Sequence, residues 1–217
     1  MPKRTGHRSF IWLTLALVGM LLAGAITREF PDRLSLQVIE YSSIILMLVS
    51  LRSLNRDRAW LTGLITLIGM TLLVVVAKGA VGHQYFEFAY LSLLLIFFLS
   101  AACLVGSEVL LTGSVEINKI VGSVALYLLL ALIWSIFYTM LLEISPEAMK
   151  GVEAGRWVDN MFIMTYFSFV TLTTLGYGDI SPVTPVAQVL VILEAVTGMF
   201  YIAIIVASLI GAALRDR

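Results

Sequence analysis

Apolar residues run along this chain in long unbroken blocks, and polar residues collect in the short gaps between them. Six blocks, at about 9–26, 34–51, 60–77, 86–104, 117–142 and 186–214, are long enough to read as helices that cross a bilayer. At 1.5 Å per residue, 18 to 20 helical residues match a hydrocarbon core of about 30 Å. The second block is interrupted by Glu40 and is the least apolar of the six. A seventh block, 157–173, is shorter. Fully helical, its roughly 16 residues rise only about 24 Å, so it can enter a membrane but not cross it.

A segment that enters and cannot cross must turn back, and the chain at that point reads TLTTLGYGDISP, 171–182. Irregular backbone at membrane depth persists only where protein buries it or water reaches it. Residues 174–179 therefore read as a returning strand that lines an aqueous path. Gly176 and Gly178 alternate along it, and glycine adopts mirror-image backbone angles at little cost. Alternating such angles turns successive carbonyls to one side, which an ordinary strand forbids. A row of carbonyls makes a ladder of cation sites, to which Thr174 can add its hydroxyl. One chain supplies one row, so a closed ring needs several chains around an axis. The preceding helix would aim its partially negative C-terminus at the ion path.

Composition agrees with the pattern. The 217 residues are 60% hydrophobic and 13% charged, with a mean hydropathy of +0.99. That excludes a water-soluble globular domain, whose exterior must be largely polar. Net charge is zero, which leaves no electrostatic case for nucleic acid. Cys103 is the single cysteine and reads as a small residue inside an apolar block. His7 and His83 fall in gaps without partners at metal-ligand spacing and read as solvated. The beginning, MPKRTGHRSFIWLTLALVGMLLAGA, imitates a secretory signal, but is read as a retained first helix.

Charge sets an expected orientation. With the N-terminus inside, the inner gaps hold nine basic residues: Lys3, Arg4, Arg8, Arg52, Arg56, Arg58, Lys119, Arg215 and Arg217. The outer gaps hold five: Arg28, Arg33, Lys78, Lys150 and Arg156. The excess of Lys and Arg marks the cytoplasmic side, so both termini are expected in the cytoplasm of a cell-membrane protein. No internal repeat is visible, which argues against a transporter of duplicated halves. Gly113 and Glu116 break the apolar pattern near 111–118. The chain is accordingly divided into a four-helix part, 1–112, and a part of two helices and the short block, 113–217.

The residues TTLGYGD, 173–179, resemble the filter signature T-T-V-G-Y-G-D of tetrameric potassium channels, with Leu175 in place of valine. The resemblance spans about 115–214. It implies an all-α membrane protein, six spanning helices with a re-entrant pore helix and filter loop, assembled as a homotetramer. It further implies potassium coordination by the carbonyls of Thr174, Leu175, Gly176 and Tyr177, with Gly178 at the outer turn and Thr173 in support. Tyr166 and Phe167 occupy the family's aromatic pair on the pore helix. Asp179 would brace the filter by accepting a hydrogen bond from Tyr166 or Trp157, the plainer reading being a solvated loop acid. Gly198, 20 residues after Gly178, stands where the family's inner helix has its gating hinge. No cofactor is expected beyond the permeant ion, and no enzymatic chemistry. A weakly selective cation channel and a non-conducting modulatory subunit are the competing readings.

Six spans resemble a voltage-gated layout, but the fourth block contains no Lys or Arg. A voltage sensor moves about 3–4 charges per subunit, each worth about 2.3 kcal/mol per 100 mV, and this block has none to move. Arg52, Arg56 and Arg58 read as ordinary cytoplasmic anchors. Residues 143–160 carry Glu143, Glu147, Glu153 and Asp159 against Lys150 and Arg156, an acidic entrance that would concentrate cations. A merely soluble turret is the alternative. Glu194 lies inside the last block, one turn before Gly198, and reads as a pH-sensing or a packing acid; Glu40 is a weaker case. Met199, Ile202, Val206 and Ile210 share a helical spacing that suits an apolar inner cavity or helix packing. After the ending, LRDR, no cytosolic ligand-binding domain is expected.

Overall fold

The computed structural model describes residues 10–29, 35–54, 58–81, 85–111, 117–153, 155 and 157–215. His7, His83, Arg56 and the junction at 112–116 lie outside them, as do the side chains of Val206 and Ile210. Among the described residues seven α-helices carry the fold: α1 Phe10–Glu29, α2 Ser35–Ser53, α3 Arg58–Val81, α4 Tyr85–Leu111, α5 Ile117–Ile144, α6 Trp157–Leu172 and α7 Pro185–Arg215. Each expected apolar block is a helix, and α6 is the short one at 16 residues. A 3-10 turn at Pro146–Ala148 leads into strand β1, Met149–Lys150, which pairs antiparallel with β2, Ser181–Pro182.

Among the described residues, four stretches are long and apolar enough to cross a membrane: Arg58–Lys78, Phe86–Val109, Asn118–Ile144 and Pro185–Ile205. In α1 the apolar part is the shorter Phe10–Ile26. Gln37, Glu40, Tyr41 and two serines dilute α2.

Packing divides the chain into two compact units, Met1–Leu128 and Leu129–Arg217. The division falls within α5, later than the 112/113 boundary expected from the sequence, because the beginning of α5 is fastened to α1. The Phe10 amide donates to Asn118 Oδ1 at 2.9 Å. Gly122 lets α1 and α4 close in, since a Cβ there would lie 2.7 Å from Phe10 Cδ2 and 3.0 Å from Val109.

In the first unit α1 packs along α2, α2 on α3, and α3 on α4. Leu13, Leu17, Leu46, Met47, Phe97 and Phe98 are fully buried in it. Glu40 and Lys78 form an ion pair at 3.0 Å between α2 and α3. Beside it, the Ser43 hydroxyl donates to the Glu40 carbonyl at 2.7 Å, so Tyr90 Oη, 2.8 Å away, is the donor to Ser43. Glu40 is thus a paired acid.

The second unit is built around Tyr138 and Leu142 of α5, Met149 of β1, Met164 and Phe167 of α6, and Ile180. Tyr138 and Phe167 meet edge to face with centroids 5.2 Å apart, the arrangement aromatic quadrupoles favour.

Candidate functional site: the loop after α6

The loop begins where α6 ends, and its first amides fold back onto that helix. The Thr173 amide donates to the Phe169 carbonyl (3.0 Å) and that of Thr174 to Thr171 (2.9 Å). Leu175 and Gly176 both donate to Val170, at 3.0 and 3.2 Å. The Thr173 hydroxyl bonds the Phe169 carbonyl as well, at 2.6 Å. These bonds occupy carbonyls that a helix end leaves open.

They also fix where the loop's own carbonyls point. In a planar trans peptide the C=O of one residue is antiparallel to the N–H of the next, and none of the described peptides is cis. With the amides of Thr174, Leu175 and Gly176 turned toward α6, the carbonyls of Thr173, Thr174 and Leu175 turn away from it. Three successive carbonyls on one side is not a strand geometry.

The backbone angles give the means. Thr174, Gly176 and Gly178 have φ of +60°, +56° and +79°, while Leu175 and Tyr177 between them are not in the positive region. The two glycines were legible as such positions in the sequence. Thr174 was not, because a β-branched residue with positive φ is rare and no sequence pattern announces it.

Every residue from Thr173 to Asp179 is exposed in the single chain, and Leu175 and Tyr177 show 55% and 67% of their surface. The bracing contact is made by the nearer of the two expected donors. Tyr166 Oη donates to Asp179 Oδ2 at 2.8 Å, while Phe167 is buried in the core on the other side of α6. A second brace comes from the 3-10 turn and β1. The Val183 amide donates to the Ala148 carbonyl at 2.8 Å. Gly151, with φ +87°, lies so close to the Asp179 carbonyl that a Cβ would come within 2.1 Å of it. Gly151 went unnoticed in the sequence because its neighbour lies 28 residues away.

Behind the loop α7 runs unbroken through Gly198. A Cβ at Gly198 would sit 2.2 Å from the carbonyl oxygen of Leu172, the last residue of α6. One turn earlier Glu194, fully buried, meets Ser168 of α6 and Tyr138 of α5. The two helices thus touch at consecutive turns, 168 with 194 and 172 with 198, and run in the same sense there. Met199 and Ile202 are exposed on α7. No group of three or more His, Cys, Asp or Glu positioned to hold a metal occurs among the described residues.

Residues 126–215 match a family model described as "Ion channel". The match begins three residues before the second compact unit does, so packing and family delimit the same segment. The chain is 32% identical over 77 residues to "Two-pore potassium channel 4" of Arabidopsis thaliana, covering 36% of this chain and 26% of that one. It is 39% identical over 66 residues to "Inward rectifier potassium channel Kirbac3.1" of Paramagnetospirillum magnetotacticum, covering 30% of this chain and 21% of that one. The chain therefore spans about a quarter of the length of these curated relatives. No solved structure matches it. Residues 126–215 are thus similar to an ion-channel family, and shorter stretches of the chain to two potassium channels, in a chain whose long apolar helices fit a multi-pass membrane protein.

Proposed function

We propose that the protein is a potassium-selective channel whose filter is the loop 173–179. The observation that carries this reading is the alternation of positive φ at Thr174, Gly176 and Gly178 together with amides turned back onto α6. That backbone presents a row of carbonyls away from the protein, as required to replace an ion's hydration shell. The choice of potassium over sodium is supported by the relatives' printed names and by the resemblance of TTLGYGD to the potassium-channel signature. Thr174, Leu175, Gly176 and Tyr177 supply the ligands, Gly178 the outer turn, and Tyr166 holds Asp179 in place.

The pore is a homotetramer around the filter. A single chain offers one row of carbonyls and leaves Leu175 and Tyr177 exposed. Only 11% of the crossing window of α7 is buried within the chain, against 50% for α4. An apolar helix so bare, beside a half-built ion path, fits neighbouring copies on one face and lipid on the other. All six long helices cross the membrane, α1 and α2 included, with both termini in the cytoplasm by the excess of basic residues. α6 enters and returns.

The channel is not steeply voltage-gated, because α4 carries no Lys or Arg. Purified protein in liposomes tests all of this together. Potassium flux, a reversal potential that tracks potassium rather than sodium, and conductance that varies shallowly with voltage are expected. Equal permeability to sodium, a monomer that conducts, or a steep sigmoid independent of the permeant ion would each break the corresponding part.

A further inference from the structure

The Glu194 carboxyl, on α7, is fully enclosed. Its oxygens are met from two other helices of the same unit. Tyr138 Oη, on α5, donates to Oε2 at 2.6 Å, and Ser168 Oγ, on α6, lies in hydrogen-bond contact with Oε1. Ser168 Oγ is also 2.7 Å from the carbonyl oxygen of Ala131 on α5.

The protons in this cluster can be counted. A serine hydroxyl carries one hydrogen, a backbone carbonyl none, and an ionised carboxylate none. If Glu194 were ionised, Ser168 Oγ would face two acceptors with a single proton to give. One of its two close oxygen–oxygen approaches would then be a contact between lone pairs. A hydrogen shared between both acceptors would have longer legs than these. All three contacts are hydrogen bonds at once only when Glu194 brings a proton of its own. The chain then reads in one direction: Tyr138 Oη–H to Glu194 Oε2, Glu194 Oε1–H to Ser168 Oγ, Ser168 Oγ–H to Ala131 O.

Charge leads to the same assignment by a separate route. The one titratable side chain that meets Glu194 is Tyr138, a donor; Ser168 is neutral, and among the described residues no Lys, Arg or His pairs with the carboxyl. A bare carboxylate enclosed without a cation is costly, and the group avoids that cost by staying neutral.

We infer that Glu194 is held as a neutral carboxylic acid and acts as a positioning residue, closing a hydrogen-bonded chain from Tyr138 through Ser168 to Ala131 that fixes α6 behind the loop. The inference rests on reading that loop as the filter. Ser168 immediately precedes Phe169 and Val170, whose carbonyls hold the amides of Thr173, Leu175 and Gly176. Anchoring Ser168 to both α5 and α7 therefore sets the turn of α6 from which the filter hangs. Gly198 holds the next turn of α6 through its approach to Leu172.

Glutamine is the uncharged analogue of the protonated acid: its carbonyl accepts from Tyr138 and its amide donates to Ser168. Infrared spectra of the full chain reconstituted in lipid at neutral pH, with potassium flux on the same samples, test the assignment. Wild type should show the carbonyl stretch of a protonated carboxyl, shifted in Tyr138→Phe and in Ser168→Ala and missing in Glu194→Gln. Glu194→Gln should conduct like wild type, whereas Ser168→Ala, which keeps the acid but cuts the chain, should conduct less. A wild-type spectrum without that band, or a band that survives Glu194→Gln unchanged, overturns the neutral acid. Flux lost in Glu194→Gln but kept in Glu194→Asp overturns it too. The band without potassium flux in wild type would sink the filter reading while leaving the protonated acid in place.

Discussion

Gly69 and Gly198 are the same residue in the same kind of element, a long apolar helix, and the structure treats them oppositely. A Cβ on Gly69, in α3 of the first unit, would meet nothing within 4 Å. A Cβ on Gly198, in α7 of the second, would collide with the backbone of Leu172. The contrast extends to their units. Many hydroxyls of the first unit bond the preceding turn of their own helix, as Thr62, Thr66 and Thr71 do. In the second, Tyr138, Ser168 and Tyr166 reach other elements. Polar groups that join elements fix geometry, because a buried partner left unpaired is costly. The second unit is therefore specified residue by residue around the loop, whereas much of the first is specified by apolarity, with the Glu40–Lys78, Tyr90–Ser43 and Phe10–Asn118 contacts as its own cross-links.

The sharpest way to break this contrast is Gly176→Ala. Its Cβ has open space around it, so the harm comes through φ of +56°, a region costing an L-residue about 1–2 kcal/mol. That is small against the stability of a folded protein but large for an alternating backbone that must hold its carbonyls in line. The variant should insert, assemble and melt close to wild type while potassium flux falls to the liposome background. Wild-type flux from the folded variant would remove the loop from the ion path.

Gly198→Ala should act in the opposite proportion. Displacing a helix backbone to admit one methyl costs about 1–3 kcal/mol in a packed interior, so the melting temperature should fall by several degrees and flux with it. A hinge reading makes a different forecast: stability kept, and only the opening rate changed. Melting and single-channel recording on the same preparation separate the two.

These two glycines mark how far the sequence could be read. The helices were legible because spanning segments leave long apolar runs, and the ends of α5, α6 and α7 came within three residues of the blocks. The loop stood out because Gly176 and Gly178 alternate after two threonines, between a half-length apolar block and a full one. What the sequence did not disclose is pairing over distance. Glu194 stood out as an acid in an apolar block, yet its partners lie 56 and 26 residues away, and Ser168 alone looks like any small helical residue. The division inside α5 was hidden for the same reason, since it depends on Phe10 finding Asn118.

A milder effect is expected at the outer brace. Tyr166→Phe removes the phenol that donates to Asp179 and leaves the ring. Tyr166 is 39% exposed, so water replaces part of the lost bond and the effect on the loop should be small. Dwell times in single-channel records should show it, with selectivity among open channels unchanged. Unaltered dwell times would mean that Gly151 and the β1–β2 pairing brace the loop without help from Tyr166.

The smallest effect should come from Gly69→Ala, and its sign tests the comparison. Glycine inside a helix costs about 0.5–1 kcal/mol relative to alanine, because the unfolded backbone has more freedom to lose. At Gly69 nothing in the structure demands that freedom: it lies mid-helix in α3, away from any turn, and the added methyl meets no atom within 4 Å. The variant should melt slightly higher than wild type and conduct identically. Lipid packed against α3 would accept one methyl without a measurable change, since a bilayer deforms more readily than a protein interior. A second copy or a partner helix seated on that face would not, because close approach of helices within membranes depends on small residues such as glycine. Flux or assembly lost in Gly69→Ala, with α3 still helical, would therefore show that this glycine belongs to an interface, and the first unit would be specified as closely as the second.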